Sequence, residues 1–233
     1  MNLLVWGFEW RLALSNRRTL ALRVVAPLSI VTVIATGEVP ATAGAAVYAT
    51  LFAVFGLWCV ALPLVRDGER GIVRRVVRGG ISPGSYLIQR TAAAASIALT
   101  QLLPAVLLVA VVLRASPFEI MTALGALAVS LWIAGLIGVL AAALSRSASE
   151  AGLLGGVALV LLLHMSGVFQ TPTLDGFGAM LEAVAPFTTL HEAFLTMATG
   201  GAVLGGGAEV AWATVMPLVV WALATDLTGS LER

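Results

Sequence analysis

RDGERGIVRRVVRGGISPGSYLIQR, residues Arg66 to Arg90, separates two long apolar runs, Ala41 to Val65 and Thr91 to Leu113. It holds six of the chain's 13 arginines: Arg66, Arg70, Arg74, Arg75, Arg78 and Arg90. A helix that crosses a bilayer needs about 20 mostly apolar residues, and clustered charge marks where such a run leaves the hydrocarbon. The segment therefore reads as a polar connection between two membrane spans.

Composition agrees with that reading. Of the 233 residues, 60% are hydrophobic and 11% charged, with a mean hydropathy of +1.02. A soluble domain is roughly 45–50% apolar and about 25% charged, so disorder and an ordinary water-soluble globule are excluded. Four further runs qualify as spans: Leu20 to Thr36, Phe118 to Leu144, Ala151 to Phe169 and Val210 to Leu227. Six helices of about 20 residues use about half the chain, enough for one bundle. The expected fold is an all-α membrane protein with six transmembrane helices in a single domain over residues 1–233.

The arginines set the expected orientation. Arg11, Arg17, Arg18 and Arg23 precede or begin the first span, Arg146 lies between the fourth and fifth, and Arg233 ends the chain. With the six above, that puts twelve arginines on one side and Arg114 alone on the other. The positive-inside rule then places both termini in the cytoplasm, with Glu38, Glu119, Asp175, Glu182, Glu192 and Glu209 outside. The chain has no lysine, and its net charge of +1 argues against nucleic acid as a partner. Cys59 stands alone in an apolar run, so neither a disulfide within the chain nor a cysteine metal cluster is expected. His191-Glu192 lacks the second histidine of a zinc HExxH site, and no other metal site is expected.

Residues 1–18 read as a helix lying along the membrane surface. Leu3, Trp6, Trp10, Ala13 and Leu14 recur on one stripe, with Glu9 and Arg11 away from it. This patterned stretch also argues against a signal peptide cleaved after Ala41-Thr42-Ala43. In the connection, Arg66, Arg70, Arg74 and Arg78 recur every four residues. Glu69, Ile72, Val73, Val76 and Val77 fall opposite, which predicts one amphipathic helix from Arg66 to Arg78. Gly79-Gly80 stops it, and Ser82-Pro83 starts the next helix with a cap and an N1 proline. Residues 66–80 would present a firm surface to a cytoplasmic partner or to anionic lipid.

In this order, Glu69, Gly71, Ser82-Pro83, Tyr86 and Arg90 resemble the first cytoplasmic loop of ABC-2 type permease subunits. Ser166-Gly167-Val168-Phe169, Pro172, Ala185-Pro186-Phe187 and Gly200-Gly201 resemble the family's passage from its fifth span through an extracellular re-entrant segment, here residues 170–209. The resemblance implies a permease that works as a dimer and is driven by a separate ATPase subunit holding ATP and Mg. It also implies that the cytoplasmic helix transmits the ATPase's closure, here through Arg66, Glu69, Arg70, Arg74 and Arg78. An external gate would fall on Phe187, His191 and Glu192. The chain has Arg90 where the family often has lysine. No GxxxxGK[ST] phosphate loop occurs in the sequence, which agrees with an ATP site on another subunit.

Within the re-entrant segment, Ala179 to Val184 and Phe187 to Met197 read as two short helices. Phe52, Phe55, Trp58 and Phe169 are aromatic residues suited to line a path for an amphipathic or hydrophobic substrate, whose export the resemblance favours. The implied setting is the inner or plasma membrane of a prokaryote, with lipids as further partners. Within the transport class the alternative is a haem exporter B-like permease of cytochrome c maturation, a group that the chain also resembles. Two other classes compete: a non-transporting membrane scaffold, and an intramembrane serine protease using Ser166 with His191 as its base. His164 near the end of the fifth span is expected to hydrogen-bond between helices, and Asp226 to meet a basic neighbour or water.

Overall fold

A computed structural model describes residues 4–169, 184–200 and 206–231. Those residues form ten helices and no strand. In chain order they are α1 (Leu4–Ser15), α2 (Arg17–Thr36), α3 (Ala41–Glu69), α4 (Ile72–Arg78) and α5 (Pro83–Leu113). There follow α6 (Pro117–Leu144), α7 (Ala148–Met165), α8 (Thr188–Thr199), α9 (Gly207–Ala222) and α10 (Ala224–Leu231). The predicted helix from Ala179 lies outside the described residues, apart from its last position, Val184.

Short polar side chains set the helix starts. Asn16, Ser82, Ser116 and Ser147 each accept a hydrogen bond from the third following amide, at the heads of α2, α5, α6 and α7. At Ser116 the bond is reciprocal: Glu119 Oε2 accepts from the Ser116 amide at 2.6 Å, completing a capping box. Such caps matter at span ends, where free amides would otherwise face a poorly hydrated surface.

α6 forms the centre of the bundle and packs against α3, α5, α7, α8 and α9. Lipid gives no hydrophobic drive for helix association, so small residues must let backbones approach. A Cβ added at Gly138 of α6 would lie 2.8 Å from the Leu57 carbonyl oxygen and 3.3 Å from the Ala61 amide nitrogen of α3. One added at Gly56 would lie 2.8 Å from the Leu131 side chain. Glycine on both helices is what brings α3 and α6 together.

Among the described residues five helices, α2, α3, α5, α6 and α7, are long and apolar enough to cross a membrane. The expected straight sixth span, Val210 to Leu227, is instead two helices, α9 and α10, bent by 67° at Leu223. They count as a sixth span only if taken together. α9 has 16 residues, about 24 Å at 1.5 Å per residue, which is short of a hydrocarbon core of about 30 Å. Pro217 adds a defect inside α9, because it has no N–H to offer the Ala213 carbonyl one turn back. The Trp132 indole Nε1 donates to that oxygen at 3.1 Å, so α6 closes the gap in its neighbour's ladder.

The helices sort their connections to two ends. The α1–α2 junction, the end of α3, α4, the start of α5, the α6–α7 junction and α10 gather at one. The other holds the end of α7, the start of α3, α8 and the start of α9. Of the twelve arginines among the described residues, only Arg114 lies away from the first end.

Candidate functional site

At the arginine-rich end the predicted helix from Arg66 to Arg78 is broken. α3 continues without interruption through Arg66 to Glu69, and Gly71 adopts a left-handed conformation (φ 65°) before α4 begins. Three of the five predicted coupling residues thus belong to the end of a span, and the four-residue arginine spacing does not follow one helix face. Glycine is what Gly71 needs, since other L-residues enter that region only at a cost. Arg75, absent from the predicted set, staples the joint. Its Nη2 donates to the Arg70 carbonyl at 2.9 Å and its Nε to the Gly71 carbonyl at 3.3 Å. Val73 is fully buried and anchors α4 to the bundle, leaving Arg74 and Arg78 exposed.

The predicted coupling residues accordingly face three ways. Arg74 and Arg78 project from α4. Arg66 and Arg70 border a crevice against α1 and α2. Glu69 lines a separate cavity of about 1040 Å³ with Arg146 and with Asp226 of α10. α10 meets α3 closely beside that cavity: any side chain at Gly68 would collide with the Leu231 carbonyl.

Arg90 is the electrostatic centre of this end. It is buried, and its guanidinium pairs with Glu9 of α1 and, at 2.9 Å, with Asp67 of α3. One cation therefore ties α1 to α3 and α5. Trp10 adds a second tie, its Nε1 donating to Ser96 Oγ of α5 at 3.0 Å. The residues that α1 turns toward the bundle are Val5, Glu9, Trp10 and Ala13. Trp6 and Leu14 are exposed, Trp10 and Ala13 face the bundle, and Leu3 lies outside the described residues. Glu9, expected away from the apolar stripe, turns inward because a carboxylate with a buried partner behaves as an inward residue. Spacing gave no sign of this pairing, since its members lie far apart in sequence.

At the other end, α8 is locked onto α3. Phe194 packs its ring 5.4 Å from Phe52 and 5.6 Å from Tyr48, centroid to centroid. Glu209, buried at the head of α9, accepts from the Thr189 amide at 2.6 Å and so caps α8 as well. Phe187 is fully buried, and its amide donates to Ser166 Oγ at 3.2 Å. The Ser166 hydroxyl in turn donates to the Leu162 carbonyl at 2.7 Å, so this side chain links the end of α7 to the residue that precedes α8. Glu192 is half-buried on α8, and its carbonyl accepts from Thr196 Oγ1. His164 lies on the exposed face of α7 near its end.

Of the four aromatic residues expected along a substrate path, two share one groove. Trp58 and Phe169 are about half exposed (46% and 48%) and line an apolar groove of about 840 Å³. α3 forms its floor, Ile30 of α2 one wall, and His191 and Leu195 of α8 its outer end. Phe52 sits in the core under Phe194, and Phe55 is half-buried against that core. Burial holds the His191 imidazole below the ordinary histidine range, opposed by the charge of Glu192 and a backbone hydrogen bond at Thr42. Its Nε2 is buried with no hydrogen-bond partner among the described residues. Among the described residues no group of His, Cys, Asp and Glu could hold a metal ion.

The family model for the ABC-2 type transporter matches residues 2–198, from α1 through almost all of α8. The chain belongs to that family and is a multi-pass membrane protein. No curated protein matches it.

Proposed function

We propose that the chain is the permease subunit of an ATP-binding cassette transporter and that a separate ATPase subunit supplies the energy. The family match over residues 2–198 is the observation that carries this reading. The arginine-rich end faces the cytoplasm, as the positive-inside rule requires of a membrane protein with its arginines so divided. On that face α4 is the docking knob, rigid because Arg75 and Val73 fix both its entry and its seat. Arg74 and Arg78 meet the ATPase there.

The rest of that end relays the push. α4 follows α3 directly, so a displacement of α4 moves Asp67, and through Arg90 it reaches Glu9 and α1. Two copies pair along their lipid-exposed faces, and the groove holding Trp58 and Phe169 opens toward the path between them. Its apolar lining suits an amphipathic or hydrophobic substrate, which the complex exports. His191 and Leu195 form the outer limit of that groove, while Phe187 and Glu192 hold α8 over it.

The test is to purify the full chain from its native membrane in mild detergent and identify co-purifying proteins by mass spectrometry. A stoichiometric ATPase, lost in an Arg74→Glu/Arg78→Glu variant that still elutes as a folded bundle, is the expected result. An intact bundle with no ATPase, or an ATPase retained by the variant, overturns the docking assignment.

A further inference from the structure

The crevice beside Glu9, Arg90 and Asp67 has a volume of about 390 Å³ and is walled by α1, α2, α3 and α5. Arg66 and Arg70 border its mouth, and Cys59 on α3 and Gln101 on α5 line it further in. Gln101 is eleven residues beyond Arg90 on one helix, about 16 Å at 1.5 Å per residue. The crevice thus extends from the arginine-rich end toward hydrocarbon depth, between apolar walls that include Leu20, Pro63 and Ile97.

Its charge is unbalanced. Arg23, Arg66, Arg70 and Arg90 line it against only two carboxylates, Glu9 and Asp67, and Arg90 already holds both. Among the described residues Arg23, Arg66 and Arg70 form no ion pair. A guanidinium drawn toward the hydrocarbon calls for a counter-charge, and its planar fork matches phosphate oxygens. A second, independent observation comes from the deep end. Gln101 is almost fully buried (2% exposed), and its Oε1 has no hydrogen-bond partner among the described residues. Buried acceptors are rarely left so.

We propose that this crevice binds one anionic phospholipid. The phosphate lies among Arg23, Arg66 and Arg70, an acyl chain follows Leu20, Pro63 and Ile97 inward, and Gln101 Oε1, at acyl-chain depth where a phospholipid carries no donor, accepts from a water that enters with it. A zwitterionic lipid brings its own cation to a site that already has an excess of positive charge, so an anionic headgroup is preferred. The bound lipid fills the space between the surface helix and the spans it is tied to.

Native mass spectrometry of the full chain in detergent, titrated with phosphatidylglycerol or phosphatidylcholine, tests this. Arg23→Ala/Arg66→Ala should weaken the phosphatidylglycerol adduct by about tenfold or more, because charge-assisted bonds are lost. Arg17→Ala/Arg18→Ala removes equal charge outside the crevice and should leave that adduct unchanged. Leu20→Trp fills the crevice with every charge intact and should also remove the adduct, which keeps the test decisive if the arginine variant misfolds. Equal loss in the two arginine pairs, equal binding of both lipids, or retention of the adduct by Leu20→Trp overturns the proposal. So does displacement by millimolar inorganic phosphate that itself binds, which would assign the site to free phosphate.

Discussion

Replacing Arg90 by methionine should destabilise the chain far more than removing the whole charged cluster. Arg90 joins two carboxylates, and the side chains of Arg90, Glu9 and Asp67 are 10%, 13% and 17% exposed. That burial puts the pair energies well above the ~0–1 kcal/mol of exposed salt bridges. The charge-assisted hydrogen bond to Asp67 contributes about 1.5–3 kcal/mol, and with the Glu9 ion pair the total approaches the 3–5 kcal/mol or so lost when one partner leaves a buried pair. Much of that loss is the penalty of two unpaired carboxylates facing each other. Glu9→Gln and Asp67→Asn added to Arg90→Met should therefore restore at least half of it. Equilibrium unfolding in mixed detergent and SDS micelles, followed by tryptophan emission, measures both steps; Trp6 and Trp10 report on α1 directly. An Arg90→Met variant that loses less than about 1 kcal/mol, or a triple variant no more stable than the single one, would refute the reasoning.

Gly138→Val should lower stability by at least about 1–3 kcal/mol, because its Cβ meets backbone atoms of Leu57 and Ala61 that cannot rotate away. Gly125→Ala, with nothing within 4 Å of its Cβ, should be neutral or slightly stabilising; thermal melts in detergent compare the two. Glu209→Ala should loosen α8 by about 1–3 kcal/mol through the lost bond to the Thr189 amide, seen as faster hydrogen exchange confined to the first turn of α8. His191 is held below its ordinary value near ~6.5, so the unfolded chain binds its proton more readily. Stability from this group is complete above about pH 6.5 and falls as pH drops through the lowered value. His191→Gln should flatten the melting temperature between about pH 7.5 and 5; an unchanged slope would place the effect elsewhere.

The spans were legible because hydrocarbon imposes a length and a composition on them, and Arg66 to Arg90 announced a connection through its charge. Gly71 shows where that reading stopped. A single glycine between a four-residue arginine repeat and an apolar pair is compatible with one continuous helix by spacing, and only the left-handed backbone separates α3 from α4. The same limit applied at the head of the chain. Glu9 looked like an outward residue until Arg90 came to it from another helix. Among the residues proposed for a substrate path, Trp58 and Phe169 line an apolar groove, whereas Phe52, on the same helix as Trp58, points into the core. Aromatic character alone does not distinguish a groove from a core. The bend at Leu223 was hidden for a similar reason, since an apolar run reads the same whether it is straight or broken.

The bond from Trp132 to the Ala213 carbonyl has an evolutionary consequence. The indole is needed there only because Pro217 withholds a donor, so selection acts on the two positions as one. Relatives in which position 217 is any other residue regain the ladder bond, and tryptophan at position 132 is released to drift. Where the proline persists, a donor of similar reach should persist with it, which makes this pair a place to look for correlated change across the family.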